Sequence, residues 1–336
     1  MSGSRTAQRV GVGVTIGVLS AALAVLAGVA IYSAFAPRPA TANPLHGVSF
    51  YVDPDSSAVR AARDDRAVQP IADEPSAIWL LPESHPTNEV GGYVSGIVAD
   101  ARRAGSWPVF VVYGIPDRDC ANASTGPLGG QSAGGAADDA AYRAWVHAIS
   151  GALDARSVVI LEPDALGLAP QCDNVDARVA ELRSAISQLA PTGATVYVDA
   201  GHSSWLPVDT VVRLLRAVGM DDVRGFSTNV SNFETTADER AYDEKIAQAL
   251  HAAGSSGSHY VIDTSRNGNG PTADQAWCNP PGRLLGERPR VVEDGTGLDA
   301  TLWIKNPGES DGQCNGAPPA GQWWPAGARA LISGGE

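Results

Sequence analysis

Basic side chains are scarce in this sequence: 24 Lys and Arg stand against 37 Asp and Glu, a formal charge of −13. Nucleic acids and anionic membrane surfaces need a basic face to dock on, so neither is expected as a partner. A neutral or cationic ligand suits the charge, and a solvated acidic surface explains it equally well. Cysteine is sparse too, with four in 336 residues. No C-x-x-C or H-E-x-x-H spacing occurs, so no metal or other cofactor is expected. A G-x-S-x-G elbow is missing, which leaves no evident serine nucleophile. Charged residues make up only 18% and hydrophobic ones 44%. That balance supports a large core and excludes disorder for the bulk of the chain. No internal repeat or Pro/Thr linker divides it.

The first 42 residues stand apart. Arg5 and Arg9 precede an uncharged, mostly apolar stretch from Val10 to Ala36, with Arg38 the next charge. It is longer than the usual signal-peptide core and long enough to span a bilayer as a helix. Ala40-Thr41-Ala42 offers a small-residue cleavage site. Residues 1–42 therefore read as a signal peptide or an N-terminal anchor, and residues 43–336 as one domain. Either reading sends that domain outward, because the arginines stay on the cytoplasmic side. The expected location is secreted or anchored to the outer membrane face. Without Arg5, Arg9 and Arg38 the domain carries 21 basic and 37 acidic residues, or −16. It keeps Cys120, Cys172, Cys278 and Cys314, an even number that reads as two disulfides in an exported chain, with three pairings possible.

From residue 45 short apolar runs alternate with helical stretches. The strand candidates are 47–52, 77–81, 108–113, 158–161, 195–198, 225–227, 260–262 and 301–304. Helical segments such as 137–153, 176–189, 208–218 and 237–252 lie between them. Near-continuous apolar strands separated by helices predict a parallel sheet covered on both faces, and eight candidates favour an α/β barrel. Residues 114–136 and 264–300 break the rhythm and read as functional loops.

Acids and amides follow the strands. Asp117 and Asp119 follow Tyr113, Glu162-Pro163-Asp164 follows Leu161, and Asp199 to Trp205 follows Val198. Asn229 and Asn232 follow Ser227, Asp263 follows Ile262, and Lys305, Glu309 and Asp311 follow the last run. The C-terminal ends of parallel strands form the rim where barrels keep their active sites. One such Asp alone reads as a helix cap. Asp164 fits that poorly, because Pro163 and Ala-Leu-Gly-Leu give no clear first turn. Paired carboxylates suit glycosidic cleavage, one protonated and the other working on the opposite face. Crowding raises the pKa of Asp164, while Arg118 and Lys305 hold their neighbours ionised. Those cations also argue against Mg²⁺ or Ca²⁺ at the rim. Trp205 and Trp277, in polar Gly-rich loops, suit stacking on sugar faces, whereas Trp107, Trp145 and Trp303 read as core.

Val111-Val-Tyr-Gly-Ile-Pro-Asp-Arg-Asp-Cys120 and Val158-Val-Ile-Leu-Glu-Pro-Asp-Ala-Leu-Gly167 resemble the two signature segments of glycoside hydrolase family 6, the cellulases. Asp199-Ala-Gly-His-Ser-Ser-Trp205, Thr228-Asn-Val-Ser-Asn232, Ile262–Gly270, Trp277-Cys278 and Trp303–Gly312 continue the match in order. The likeness covers roughly residues 45–330. It implies a distorted barrel of about seven parallel strands, so one of the eight candidates is surplus. It also implies inverting cleavage of β-1,4-glucan, and a monomer without cofactors is expected. By resemblance Asp164 is the proton donor. Asp119 raises its pKa or places the water, Asp311 takes the base position, and Tyr113 presses on the sugar. Trp79, Asp199, His202, Trp205, Asn232, Trp277, Lys305 and Glu309 match the substrate-binding surroundings. The cysteines match pairs Cys120–Cys172 and Cys278–Cys314. The short path from Trp277 to Lys305 resembles open-cleft, internally cutting members, while the long glycine-rich 121–136 segment suits chain-end-specific ones. A surface glucan-binding protein without catalysis and a hydrolase of another exported glucan are the alternative readings. With no carbohydrate-binding module following, soluble or amorphous glucan is the expected target.

Overall fold

A computed structural model of the chain describes residues 42–119 and 134–334. The expectations for residues 1–41, for Cys120 and for most of the 114–136 loop lie outside these residues. Among the described residues, no helix is long and apolar enough to cross a membrane.

Eight strands form one curled sheet: β1 (Ile78–Leu80), β2 (Val109–Val112), β3 (Val158–Leu161), β4 (Thr195–Asp199), β5 (Gly225–Thr228), β6 (His259–Asp263), β7 (Arg290–Val291) and β8 (Leu298–Leu302). Their order is β1-β2-β3-β4-β5-β6-β8-β7. All pairings are parallel except β7 with β8. Seven parallel strands thus make the barrel. The surplus candidate is 47–52, which contributes a single bridge between Phe50 and Trp107 and no strand. Nine helices are described: α1 (Ser57–Ala62), α2 (Gln69–Ala72), α3 (Thr87–Ala104), α4 (Asp139–Ser150), α5 (Ala165–Leu168), α6 (Val175–Leu189), α7 (Val208–Val218), α8 (Thr236–Ala252) and α9 (Pro325–Ser333).

Side chains alternate across the sheet as the period of two requires. Val109, Val111, Val158, Ile160, Tyr197, Val261, Ala300 and Leu302 share the inner cluster. Phe110, Val112, Val159, Leu161, Val196, Val198, Phe226 and Ile262 instead pack under the helices. The last strand, Leu298–Leu302, starts earlier than the expected 301–304, and its pairing with β6 shifts register between Tyr260 and Val261. Asp299 enters that strand fully buried and takes Arg224 Nε and Nη2 at 2.8 Å each and the Tyr197 hydroxyl at 2.7 Å. Among the described residues no ladder joins β1 to β8, and two bonds cross this seam. Ala77 N–H donates to Trp303 O at 2.9 Å, and the Trp79 indole donates to Ile304 O at 2.8 Å.

Candidate active site

The chain leaves β3 through two residues in the left-handed region, Glu162 at φ 50° and Asp164 at φ 69°. Glu162 turns back and ties β3 to the end of β2. Its carboxylate accepts from Gly114 N–H at 3.0 Å, Ile115 N–H at 3.1 Å and the Tyr142 hydroxyl at 2.9 Å. Asp164 stands at the N-cap of α5, yet its side chain makes no capping bond. Its backbone N–H donates to Asp199 Oδ1 at 2.9 Å, so the end of β4 fixes the turn that presents it. Asp199 is buried and also accepts from Gly201 N–H at 3.1 Å and Ser227 Oγ at 3.2 Å.

Burial, reinforced by the charge of Asp119, pushes the Asp164 carboxyl up to about 7. Asp199 is raised as well, by burial and by Asp164. Two adjacent acids in a poorly hydrated turn cannot both ionise cheaply, so protons stay here near neutral pH. This is the electrostatic state a general acid needs.

Opposite electrostatics govern Asp311. Its side chain is 5% exposed and lies 2.7 Å from Arg266 Nη1 and 3.3 Å from Lys305 Nζ. Asn279 N–H donates to Oδ2 at 3.0 Å. Burial alone would raise this group, but Arg266 and then Lys305 outweigh it and hold the carboxyl below its usual range.

Tyr113, which follows β2, donates its hydroxyl to Asp119 Oδ1 at 2.8 Å. The ring meets Trp79 edge-on at 5.3 Å, and the Arg118 guanidinium covers it at 4.5 Å. Arg118 is shared between Glu83 Oε1 at 3.1 Å and Asp119 Oδ2 at 3.6 Å, so Glu83 is its nearer partner. On the other flank His202 and Trp205 lie with ring centroids 5.4 Å apart. A Cβ on Gly167 would come within 2.9 Å of the Trp205 ring, so the glycine makes room for that indole.

A family model for glycosyl hydrolases family 6 matches residues 45–334. The chain belongs to this family. It is 46% identical over 283 residues to endoglucanase A of Cellulomonas fimi, covering 82% of this chain and 59% of that protein. The chain therefore spans under two thirds of that relative's length. It is 40% identical to endoglucanase 1 of Streptomyces halstedii, over 93% of this chain and 97% of that one. Among solved structures, the endoglucanase Cel6 from Mycobacterium tuberculosis, in complex with methyl-cellobiosyl-4-deoxy-4-thio-β-D-cellobioside, superposes with a TM-score of 0.79. It is 44% identical and covers 87% of this chain and 98% of that one. The protein is a family 6 glycoside hydrolase, and the distorted barrel of parallel strands expected from the resemblance is present.

Within this family 6 domain most of the predicted residues fall into three groups, with Trp277 and Glu309 outside them. Asp164, Asp199, Asp119, Tyr113 and Trp79 are linked by the contacts above. Asp311, Lys305 and Cys278–Cys314 form a second group, the disulfide fastening the loop that delivers Asn279 to Asp311. His202, Trp205 and Asn232 flank β4 and β5; the Asn232 amide donates to Val230 O at 2.9 Å. Trp277 is 38% exposed, the large hydrophobic side chain most open to solvent among the described residues. Glu309 sits apart from the ion pairs and accepts from Ser57 Oγ at 2.6 Å, anchoring α1. Trp79 lies in the middle of β1.

Sequence reasoning missed Arg266 and Glu83 as site builders, and placed Asp263 on the rim without a role. Arg266 stacks on Phe233 at 4.5 Å and pairs with Asp311. Asp263 is buried and accepts from Ser231 N–H at 3.0 Å, Lys305 N–H at 2.9 Å and Ser265 N–H at 2.9 Å, fastening three rim loops together. Arg266 had a signal, since it lies in the matched Ile262–Gly270 segment as its one cation. Among the described residues no three His, Cys, Asp or Glu side chains converge as a metal ion would require.

Proposed function

We propose that this protein is an exported endo-β-1,4-glucanase that cleaves cellulose-type chains with inversion, using Asp164 as general acid. The observation that carries the reading is Asp164 itself: a rim carboxyl that caps nothing and is raised to about 7 by burial and then by Asp119. Protonated, it donates to the departing glycosidic oxygen as positive charge grows on the ring. Inversion requires water on the opposite face of the sugar. Asp119, whose side chain is 37% exposed, is placed by Tyr113 to orient that water. Asp311 already receives N–H groups from Arg266 and Asn279 and faces Lys305. That suits a fixed counter-charge better than a direct proton acceptor.

Trp79, His202, Trp205, Asn232, Trp277, Lys305 and Glu309 are assigned to the glucan cleft. Support for internal cutting comes from the two relatives named as endoglucanases. A protein of Aspergillus fumigatus named as a probable 1,4-β-D-glucan cellobiohydrolase is 31% identical over 82% of this chain and 70% of its own length. The Cys278–Cys314 disulfide suits an oxidising compartment, and the apolar segment after Arg9 supplies the export route.

On carboxymethylcellulose, viscosity should fall well before reducing ends accumulate, and Asp164→Ala should abolish both signals. Release of reducing ends without an early viscosity drop would exclude internal cutting. Hydrolysis persisting in the Asp164 variant would remove that residue from the mechanism.

A further inference from the structure

Behind the rim, α8 carries two acids that the mechanism leaves unused. Glu239 and Asp243 are four residues apart on one face of the helix and are fully buried. Glu239 Oε1 accepts from Ser203 N–H at 2.8 Å, and Asp243 Oδ2 accepts from the Thr228 hydroxyl at 2.8 Å. The remaining oxygens, Glu239 Oε2 and Asp243 Oδ1, are buried with no hydrogen-bond partner. Between the two acids, the Tyr242 hydroxyl donates to Leu206 O at 2.6 Å. One helix face thus holds residues 203 and 206 of the loop that carries His202 and Trp205.

Residues four apart on a helix are neighbours, about 5–6 Å between Cβ atoms. Two buried carboxylates that close cannot both be charged, and two lone oxygens without donors cannot both be satisfied. A single proton between them resolves both problems at once. The surroundings offer little alternative compensation. Ser203 and the Thr228 hydroxyl, which acts on both acids, are the donors to the pair. The charged groups acting on it are Glu234 from the β5–α8 loop, Asp199 at the end of β4 and Glu244 on α8, all carboxylates. His202, on the loop itself, is pushed down to about 4 by burial and is neutral.

We propose that Glu239 and Asp243 share one proton between their unpartnered oxygens, and that this acid–carboxylate pair positions the His202–Trp205 loop against the sugar. They are positioning residues, acting through Ser203 and Thr228. The direction of their titration agrees. Burial pushes Glu239 up to about 7, and burial with the charge of Glu239 raises Asp243 well above the usual carboxylate range. Because both groups are raised on folding, their contribution is complete below the ordinary carboxylate range and fades as pH climbs through about 7. Loss of the proton places two charges side by side and loosens the grip on the loop.

The role assigned to His202 and Trp205 rests on the glucanase reading, so one test must not need activity. Asp243→Asn and Glu239→Gln each supply a permanent N–H₂ donor and keep a carbonyl to accept from Thr228 or Ser203. In the full chain, both variants should match wild type in melting temperature near pH 5.5 and then decline less as pH rises to about 8.5. In the same range KM for a soluble glucan should climb in wild type and stay flat in the variants, while the alkaline limb of kcat, set by Asp164, is unchanged in all three. Parallel melting-temperature profiles for wild type and both variants overturn the shared proton, as does a collapse of both variants at pH 5.5. A flattened melting profile with KM still climbing keeps the shared proton and overturns the positioning role. Absence of hydrolysis in the wild type leaves the melting comparison intact and counts against the glucanase reading instead.

Discussion

Asp164 and Asp311 are both rim acids of the same barrel, yet their surroundings set them in opposite states. Around Asp164 the neighbours are acids, Asp119 and Asp199, and the carboxyl is raised to about 7. Around Asp311 they are Arg266 and Lys305, and the carboxyl is held low. Burial pushes both upward, so depth alone does not decide which one keeps its proton. The sign of the nearest charges does. One barrel rim therefore carries an acid raised toward neutrality and another held below its usual range.

The comparison breaks most completely at the acid. Asp164→Asn keeps the left-handed backbone, which Asn tolerates, and removes the proton donor. Turnover of a soluble glucan should fall by about 10²–10⁴-fold, the usual contribution of general acid catalysis. The melting temperature should change little, and a variant with near-normal turnover would show that the difference between the two acids has no catalytic meaning. Asp311→Asn attacks the other side. It leaves Arg266 and Lys305 buried without their anion, which should cost about 3–5 kcal/mol of stability. Urea unfolding measures this, and a loss below about 1 kcal/mol, typical of surface pairs, would mean that the site is wetter than the structure implies.

Charge removal sharpens the contrast further. An acid must be protonated to donate, so kcat should be high below about pH 7 and fall as pH rises through it. Asp119→Asn removes the neighbouring charge and should move this limb to lower pH, whereas Arg266→Gln, acting on the Asp311 side, should not. Stability should follow the same logic across the molecule. Glu162 and Glu239, each raised to about 7, stabilise the fold below their ordinary range and lose that contribution as pH rises towards 7. Asp311, held low, contributes above its ordinary range and loses this as pH falls. Thermal melts should therefore be highest on the mildly acidic side of neutrality; a maximum above pH 8 would contradict the burial of the raised acids. The smallest effect expected is from Trp79→Phe, which keeps a ring but loses the bond to Ile304 O, about 1 kcal/mol.

Much of this was legible in the sequence. The alternation of apolar runs and helices specified the barrel, and acids after strands specified the rim. What escaped has physical reasons. The run 47–52 has strand-like composition, but a strand exists only where a neighbour offers a ladder, and Trp107 offers one bridge. The start of β8 was misplaced because Asp299 is polar and buried, sustained by Arg224 and Tyr197 from distant segments. Arg266 was overlooked because an arginine in a loop reads as solvated until its anion is known. The low proton affinity of His202 depends on burial, which no local pattern encodes.

The seam between β1 and β8 has a mechanical consequence. A sheet closed by ladders on all sides shares load among many bonds, but among the described residues this edge is crossed by Ala77 N–H and the Trp79 indole. It behaves less like a pipe than like a rolled sheet with a two-stitch edge, and the line of least resistance runs through a residue assigned to the cleft. A glucan ring resting on Trp79 would brace that edge, so substrate should slow amide exchange at Ala77 more than at the laddered strands opposite.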